Sequence, residues 1–112
     1  MLEKINIKEL GCVDLRVGRI VSVVLHPEAD RLFVLSVDLG EDKFRTIVAG
    51  LREHYDPEEL EGRKAIFVAN LEPVTLRGVE SNGMILAAVT EGKTKVSFIT
   101  PEKDVLEGTK IS

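Results

Sequence analysis

Two short apolar runs, and the polar stretch between them, constrain the fold of this chain more than any other feature. The runs are Ala65–Ala69 (AIFVA) and Met84–Val89 (MILAAV). Each run has the length of a buried strand and is too short for a typical globular helix. The connection at 70–83 is rich in polar residues and is broken by one proline and two glycines. A polar connection of this length between two core strands is a common place for binding residues.

The other parts of the chain predict more strands and one short helix. Val13–Leu25 predicts a long first strand, and the change of apolar parity at Gly18 predicts a bulge or sharp bend there. Asp56 followed by Pro57 and two glutamates is typical of a helix start, and Gly62 is typical of its end. The remaining predicted strands are Arg31–Leu39, Lys43–Ala49, Arg63–Asn70, Met84–Thr90 and Lys95–Thr100, with room for a last short one at Gly108–Ser112.

The order of these elements predicts the fold class. Three strands, a helix and two more strands, joined mostly by hairpins, follow the element order of an OB-fold. We therefore expect an all-β, five-stranded Greek-key barrel with a short helix between strands three and four, and short extensions at both ends. At 112 residues the chain predicts a single domain, 1–112, with the barrel at about 13–90 and a C-terminal extension at 91–112. The stretch 70–83 then joins strands four and five, where OB-folds bind oligonucleotides.

Composition limits the classes of function. The net charge of −4 argues against a protein that holds nucleic acid by bulk charge alone, although arginines in or beside the strands allow a local basic face. No apolar run approaches the roughly 20 residues that a membrane-spanning helix needs, so we expect no membrane partner. A single cysteine, Cys12, excludes an internal disulfide and fits a cytoplasmic location.

No pattern of catalytic or metal-binding residues is visible. The two histidines, His26 and His54, belong to no metal-binding or triad pattern. The acidic run Asp56–Glu61 is explained better by a helix start, where negative charge is favourable, than by a metal site. We expect a protein that is not an enzyme, with no catalytic residues, no metal and no cofactor.

The stretch 70–83 and the residue after it carry the candidate binding groups. An arginine fork can hold a phosphate or a base edge, small polar side chains can add hydrogen bonds, and methionine offers an adaptable apolar surface. The candidates are Asn70, Arg77, Ser81, Asn82 and Met84, with Gly78 and Gly83 shaping the loop for close approach of a ligand. The alternatives are a strand cap at Asn70, ordinary turn residues at Ser81 and Asn82, and a core position for Met84. The residues alone leave nucleic-acid binding and a protein-interaction barrel both open.

Seven segments along 14–88 carry a family resemblance. In chain order they are DLRVGRI, HPEADRL, VDLG, RTIVAGL, YDPEELEGR, NLEP and RGVESNGMILAA. In these segments the chain resembles the tRNA-binding domain family. This OB-fold domain occurs at the C-terminus of many bacterial methionyl-tRNA synthetases, as a separate beta subunit, and as free-standing tRNA-binding proteins.

The resemblance implies a function and partners. It implies structure-specific, largely sequence-independent tRNA binding without chemistry. Attached to a methionyl-tRNA synthetase, such a domain raises the local tRNA concentration at the catalytic part. The resemblance also implies a homodimer, with contacts from roughly Val96–Ser112 and the N-terminal residues. The alternatives are a small chaperone-like, export-related dimer that binds unfolded polypeptides, and a pure dimerisation module of a synthetase.

The resemblance also assigns site residues. The family positions linked with tRNA contact fall on Arg31, Asn70, Ser81 and Met84, and Arg45 and Arg77 are physically reasonable additions. One departure from the family makes the loop less basic, since Glu72 stands where Lys or Arg is common. We expect one RNA-binding surface, with this loop as one wall and Arg31 and Arg45 on the facing strands.

Overall fold

The chain, described over all residues 1–112 by a computed structural model, folds into nine strands and two short α-helices. The strands are β1 (Leu15–Leu25), β2 (Phe33–Asp38), β3 (Arg45–Ala49), β4 (Lys64–Val68), β5 (Val74–Leu76), β6 (Val79–Ser81), β7 (Met84–Ile85), β8 (Ala87–Val89) and β9 (Val96–Phe98). The helices are α1 (Ile7–Leu10) and α2 (Pro57–Leu60). Both helices span about one turn, far short of an apolar membrane-crossing segment.

Five strands form one antiparallel sheet in the order β3-β2-β1-β4-β7, while β5–β6 and β8–β9 form separate two-stranded sheets. α2 lies between β3 and β4 in the chain, as the sequence predicted. The large sheet curls into a barrel because its long first strand serves both halves. The predicted all-β, five-stranded barrel is thereby confirmed.

The first strand bends at a different residue from the one predicted. β1 pairs with β4 through its first half and with β2 through its second half. The register shifts between Ile20 and Ser22, which marks a bulge there. The predicted bulge at Gly18 is wrong, because this glycine is needed for packing. A Cβ atom at Gly18 would lie 2.7 Å from side-chain atoms of Leu39 and Phe67.

The core follows the strand pattern that the sequence predicted. Along β2, buried and half-buried residues alternate, so that one face of the strand, including Phe33, points inward. Leu60 of α2 is fully buried against the same core. The helix start is stabilised as expected, because the Asp56 N–H donates to Glu59 Oε1 over 2.8 Å.

The connection between β4 and β7 is folded, where the sequence predicted only a polar loop. It contains the hairpin β5–β6, whose turn residues Arg77 and Gly78 both have positive φ angles (51° and 86°). Positive φ at both central residues is typical of the type I′ turn, whose twist suits a two-residue hairpin. The predicted strand Met84–Thr90 is interrupted at Leu86, because the chain there leaves β4 and continues as β8 beside β9.

Two hydrogen bonds complete the barrel between β3 and the end of β6. The Asn82 N–H donates to Thr46 O (2.8 Å), and the Val48 N–H donates to Ser81 Oγ (2.9 Å). The second bond uses a side-chain oxygen in place of a strand carbonyl. The barrel is therefore nearly closed, without a continuous ladder at this seam.

The C-terminal segment packs onto the barrel. Phe98 of β9 is only 7% exposed and belongs to the core. Farther along, the Val17 N–H donates to Thr109 O and the Ile111 N–H donates to Leu15 O, both over 2.9 Å. The last residues thus lie along the first half of β1, which β2 leaves unpaired.

Ion pairs hold the same segment. Lys64 Nζ lies 2.7 Å from Asp104 Oδ1 and 3.0 Å from Glu107 Oε1. These hydrogen bonds raise the pKa of Lys64, and the bond from Lys64 lowers the pKa of the Glu107 carboxyl. The division into a barrel at about 13–90 and an extension at 91–112, with its dimer contact, stays a prediction.

Candidate RNA-binding surface

A groove beside the loop that precedes β2 brings two of the candidate residues together. Its volume is about 630 Å³, and half of its twelve lining residues are hydrophobic. The groove, called the Arg31 groove below, is lined by Arg31, Gly50, Leu51, Glu53, His54, Met84, Ile85, Ala87, Val89, Gly92, Lys93 and Val96. Its lining contains two cationic side chains, Arg31 and Lys93, and one carboxylate, Glu53. The groove therefore combines a net positive charge with an apolar lining.

The Arg31 guanidinium is available to a ligand. Its side chain is 82% exposed, and its Nε atom lies 3.6 Å from Glu53 Oε1, on a side chain that is itself 59% exposed. Exposed ion pairs of this kind contribute little free energy, because water screens them and two long side chains must be ordered. A phosphate could replace the Glu53 carboxylate at Arg31 at little cost.

Met84 lies on the surface rather than in the core. Its side chain is 50% exposed, whereas the next residue, Ile85, is only 7% exposed. This alternation is what a strand with one buried face requires. Between the two positions that the sequence allowed for Met84, the structure selects the exposed one, inside the Arg31 groove.

A second groove, of about 680 Å³, lies near the start of β3. The Arg45 groove, as it is called below, is lined by Glu41, Asp42, Lys43, Phe44, Arg45, Thr46, Glu80 and Asn82. Its arginine is occupied by groups of the protein. Arg45 Nε and Nη2 donate to the two carboxylate oxygens of Glu41 (2.8 and 2.9 Å), and Nη1 donates to Ala69 O. Only 18% of the Arg45 side chain is exposed, so little of its fork is left for RNA.

The same contact shifts the pKa values of both partners. The hydrogen bond from Arg45 lowers the pKa of the Glu41 carboxyl below its ordinary value of 4.5. The bond to Glu41 likewise raises the pKa of Arg45. The pair is therefore fully ionised at neutral pH, and it neutralises the one arginine of a groove that contains three acidic residues.

The structure does not bring Arg31 and Arg45 together. In the antiparallel pairing of β2 with β3, Arg45 lies opposite Val37, whereas Arg31 precedes Phe33 at the other end of β2. The extended chain from Phe33 to Val37 alone spans roughly 13 Å, and Arg31 lies beyond Phe33. The candidate residues therefore divide between two grooves, and a single RNA-binding surface that includes both arginines stays a prediction.

Two further candidates use their side chains to hold the fold. Asn70 Oδ1 accepts from the Asp14 N–H (2.8 Å), and Asn70 Nδ2 donates to Cys12 O (2.7 Å). Ser81 is 6% exposed, and its hydroxyl bonds Val48 N–H and Gly83 O. The Ser81 hydroxyl is buried and already paired, so it helps to close the barrel, and a direct RNA contact by Ser81 stays a prediction. The Asn70 amide is likewise committed to the segment before β1.

The tip of the β5–β6 hairpin presents the remaining arginine. Arg77 is exposed and makes no ion pair. The two glycines shape the loop for different reasons. A Cβ atom at Gly78 would meet no atom within 4 Å, whereas one at Gly83 would lie 3.0 Å from Ile47 Cδ1 and 3.1 Å from Val68 O. Gly78 thus serves the turn, and Gly83 serves close packing beside both grooves.

Sequence reasoning missed several residues of this surface. Lys93 and His54 line the Arg31 groove, yet the sequence predicted only a turn around Lys93 and no role for His54. Arg52 Nη1 donates to Ala29 O (3.2 Å) and so holds the loop that leads to Arg31. None of these residues belongs to a motif, and only the fold brings distant segments together here.

A comparison with family models decides the relationship. The model described as "Putative tRNA binding domain" matches residues 15–110. The chain belongs to the tRNA-binding domain family. This confirms the resemblance seen in the sequence. The family consists of binding domains rather than catalytic ones.

Individual relatives link this tRNA-binding domain to methionyl-tRNA synthetases. The methionine–tRNA ligase of Pyrococcus furiosus is 49% identical to it over 110 residues, which make up 98% of this chain and 15% of the ligase. The chain thus spans about 15% of the length of that curated relative.

Solved structures support the same fold. The "MetRS related protein" of Pyrococcus horikoshii has a TM-score of 0.91 and 37% identity, and the match covers 99% of this chain and 100% of that one. The chaperone CsaA of Bacillus anthracis has a TM-score of 0.87 and 28% identity, with 98% and 100% of the two chains covered. The tRNA-binding domain therefore shares its fold with proteins of both descriptions.

Proposed function

We propose that this domain binds tRNA in the Arg31 groove. The observation that carries the proposal is that exposed cations, Arg31 and Lys93, line the same groove as the exposed apolar side chain of Met84. The cations hold phosphates, and the apolar lining contacts a sugar or base face. Because phosphate contacts carry no sequence information, such binding depends on the shape of the tRNA and little on its sequence.

The biological setting follows from the relatives. We infer that the domain acts in the cytoplasm with the catalytic part of a methionyl-tRNA synthetase, as its C-terminal domain or beta subunit, or as a free-standing homologue. In either attached form it raises the local concentration of tRNA at the catalytic part. The sequence similarity to the Pyrococcus furiosus ligase supports this setting.

The binding proposal is tested by titrating tRNA at two salt concentrations. The matched variants are Lys93→Ala in the Arg31 groove and Lys43→Ala in the Arg45 groove. Loss of one phosphate contact at Lys93 lowers the slope of log affinity against log salt by about one, uniformly across tRNA species. Lys43→Ala leaves the slope unchanged. Equal effects of the two variants, or no saturable binding by the wild-type protein, would contradict the proposal.

We further propose that two copies of the chain associate through a cleft between its two ends. This cleft, of about 250 Å³, lies between α1 and the last residues and includes Ile7, Leu10 and Ile111. Ile7 is 79% exposed and no residue of α1 is buried, so the helix presents its apolar side chains to solvent. A dimer would offer two Arg31 grooves to one large RNA, so that two local positive sites act together although each chain has a net charge of −4.

The dimer is tested by native mass, with Ile7→Asp as the variant and Lys8→Asp, on the same exposed helix, as the control. We expect a dimer for the wild-type protein and the control, and a monomer for Ile7→Asp. A monomeric wild-type protein at micromolar concentration would remove the dimer from the proposal and leave tRNA binding untouched.

A second candidate function is supported by the apolar half of the Arg31 groove and by the similarity to the Bacillus anthracis chaperone. In this function the groove binds apolar side chains of unfolded polypeptides. A reduced, unfolded protein titrated in parallel with tRNA separates the two. Salt-sensitive saturation by tRNA alone supports RNA binding, and saturation by the unfolded protein alone supports the chaperone-like function.

A further inference from the structure

The hairpin that carries Arg77 is weakly joined to the barrel. β5 and β6 pair only with each other, through three residue pairs, and every residue of β5 is exposed. An isolated two-stranded hairpin is at best marginally stable in water. The position of Arg77 at its tip therefore depends on whatever attaches the hairpin to the rest of the chain.

A single side chain makes that attachment near the tip. His26 Nε2 lies 2.9 Å from Leu76 O, and Leu76 is the residue before Arg77. No other hydrogen bond or ion pair joins residues 71–80 to the chain outside the hairpin. The other attachment is at the base, where the Ser81 hydroxyl bonds Val48 and the Asn82 N–H donates to Thr46 O.

The His26 ring is itself fixed. It is 3% exposed, and its Nδ1 atom accepts from the Glu28 N–H over 3.0 Å. Because a backbone N–H is always a donor, Nδ1 carries no proton, and the proton of the neutral ring lies on Nε2, where it donates to Leu76 O. The backbone of the same loop is closed by the bond from His26 N–H to Leu32 O (3.2 Å), one residue beyond Arg31.

We infer that His26 is a positioning residue for RNA binding, which fixes the hairpin tip so that Arg77 is held relative to the loop that carries Arg31. The inference rests on the proposed function. With the bond from Nε2 to Leu76 O in place, Arg77 is ordered before the RNA arrives. Without it, the tip must be ordered during binding, and the lost freedom of the side chain and turn lowers the affinity.

Two substitutions separate this bond from the local structure of the loop. In His26→Asn the amide oxygen can still accept from the Glu28 N–H, as in an Asx turn, but the side chain is too short to reach Leu76 O. In His26→Gln the longer amide can donate to Leu76 O. We expect His26→Asn to weaken tRNA binding by about three- to tenfold, to the same extent as Arg77→Ala. His26→Gln should restore most of the affinity, and His26→Asn with Arg77→Ala should be no weaker than Arg77→Ala alone.

A measurement without RNA tests the same bond. Trypsin cleaves after Arg77 once the tip opens, so native-state cleavage at this peptide bond should be faster in His26→Asn than in the wild-type protein and His26→Gln. Equal cleavage and equal affinity of the Asn and Gln variants would overturn the inference. Additive losses in the double variant would also overturn it, since His26 would then act independently of Arg77. If the wild-type protein binds no tRNA, the proposed function is contradicted. The role of His26 in RNA binding is then contradicted too, even if the cleavage rates show that His26 holds the hairpin tip.

Discussion

The Arg31 groove and the Arg45 groove each contain an arginine that the sequence suggests as an RNA contact, but the two side chains are in opposite situations. Arg31 is 82% exposed beside one weakly placed carboxylate, whereas Arg45 is 18% exposed and bonded to both oxygens of Glu41. The first groove has an apolar half and one acidic residue, and the second has three acidic residues.

This difference shows that the availability of a charged side chain, rather than its type, decides whether it can serve a ligand. A fork that already bonds a carboxylate and a backbone carbonyl must give up those bonds before it can hold a phosphate. The bonds of Arg45 instead connect the turn before β3 to the end of β4, since its partners are Glu41 and Ala69. Arg45 is held by contacts within the fold, whereas the Arg31 guanidinium is exposed.

The largest effect is expected at Gly83, which lies between Asn82 of one groove and Met84 of the other. Gly83→Ala places a methyl group about 3 Å from Ile47 Cδ1 and Val68 O, at a φ of 131°. We expect crowding and backbone strain to lower the free energy of unfolding by roughly 2–4 kcal/mol. Urea denaturation measures this change.

The matched control is Gly78→Ala, at the other loop glycine with positive φ. A Cβ atom there meets nothing within 4 Å, so only the backbone strain remains, at about 1 kcal/mol. If the two variants lost equal stability, crowding at Gly83 could not be the reason that a glycine is needed between the grooves.

The next effect concerns Asn70, a predicted RNA contact that belongs to neither groove. Asn70→Ala removes the bonds to Asp14 N–H and Cys12 O, so we expect a loss of about 1–3 kcal/mol in unfolding free energy with tRNA affinity unchanged. Asn82→Ala is the control, since Asn82 bonds Thr46 through its backbone, and it should change stability by less than about 0.5 kcal/mol. Weaker tRNA binding by fully folded Asn70→Ala would return this residue to the contact surface.

The comparison of the two arginines predicts opposite phenotypes. Arg31→Ala should weaken tRNA binding about tenfold, lower the salt slope by about one, and leave stability unchanged. Arg45→Ala should lower stability and leave the salt slope as it is, because the Arg45 fork is occupied in the free protein. Titrations at several salt concentrations, paired with urea denaturation of each variant, measure both properties. If Arg45→Ala weakened tRNA binding and lowered the salt slope while Arg31→Ala only lowered stability, RNA would bind in the Arg45 groove.

The barrel itself could be predicted from the sequence because its signals are local. Period-two burial in β2, the helix start at Asp56 and the short hairpins are each encoded within a few residues. The predictions that failed concern features that depend on contacts between residues far apart in the sequence. The sequence predicts a bend of the strand at Gly18, but the glycine is needed there because Phe67 packs against it. The bulge lies near Val21 instead. The β5–β6 hairpin was missed because Arg77 stands where a residue that favours positive φ is usual.

The candidate site was predictable only in part for the same reason. The sequence suggested arginine and methionine as contact residues, and Arg31 and Met84 do meet in one groove. It could not show that Ser81 would be buried, since its burial follows from the packing of the end of β6 against β3, where its hydroxyl bonds Val48. Nor could it place Lys93 beside Arg31, because chain segments far apart in sequence meet there only after the barrel closes.

The smallest expected effect tests the electrostatic side of the comparison. Glu41→Gln keeps the shape of the Arg45 contact and removes its charge. The pKa of Glu41 in the folded protein lies below its ordinary value of 4.5. The ionic contribution to stability is therefore fully present at pH values above the pKa of Glu41 in the unfolded chain, and it is lost as the pH falls through the pKa in the folded protein. Because the Glu41 side chain is 46% exposed and solvent screens it, we expect the wild-type protein to be more stable than Glu41→Gln by less than about 1 kcal/mol at neutral pH. This difference should shrink towards zero in acid, as urea denaturation at a series of pH values would show. Glu53→Gln makes the same change beside Arg31, where both side chains are exposed, and should match the stability of the wild-type protein at neutral pH. If the difference in unfolding free energy between the wild-type protein and Glu41→Gln did not change with pH, the contact would stabilise the fold through its hydrogen-bond geometry rather than through its charge.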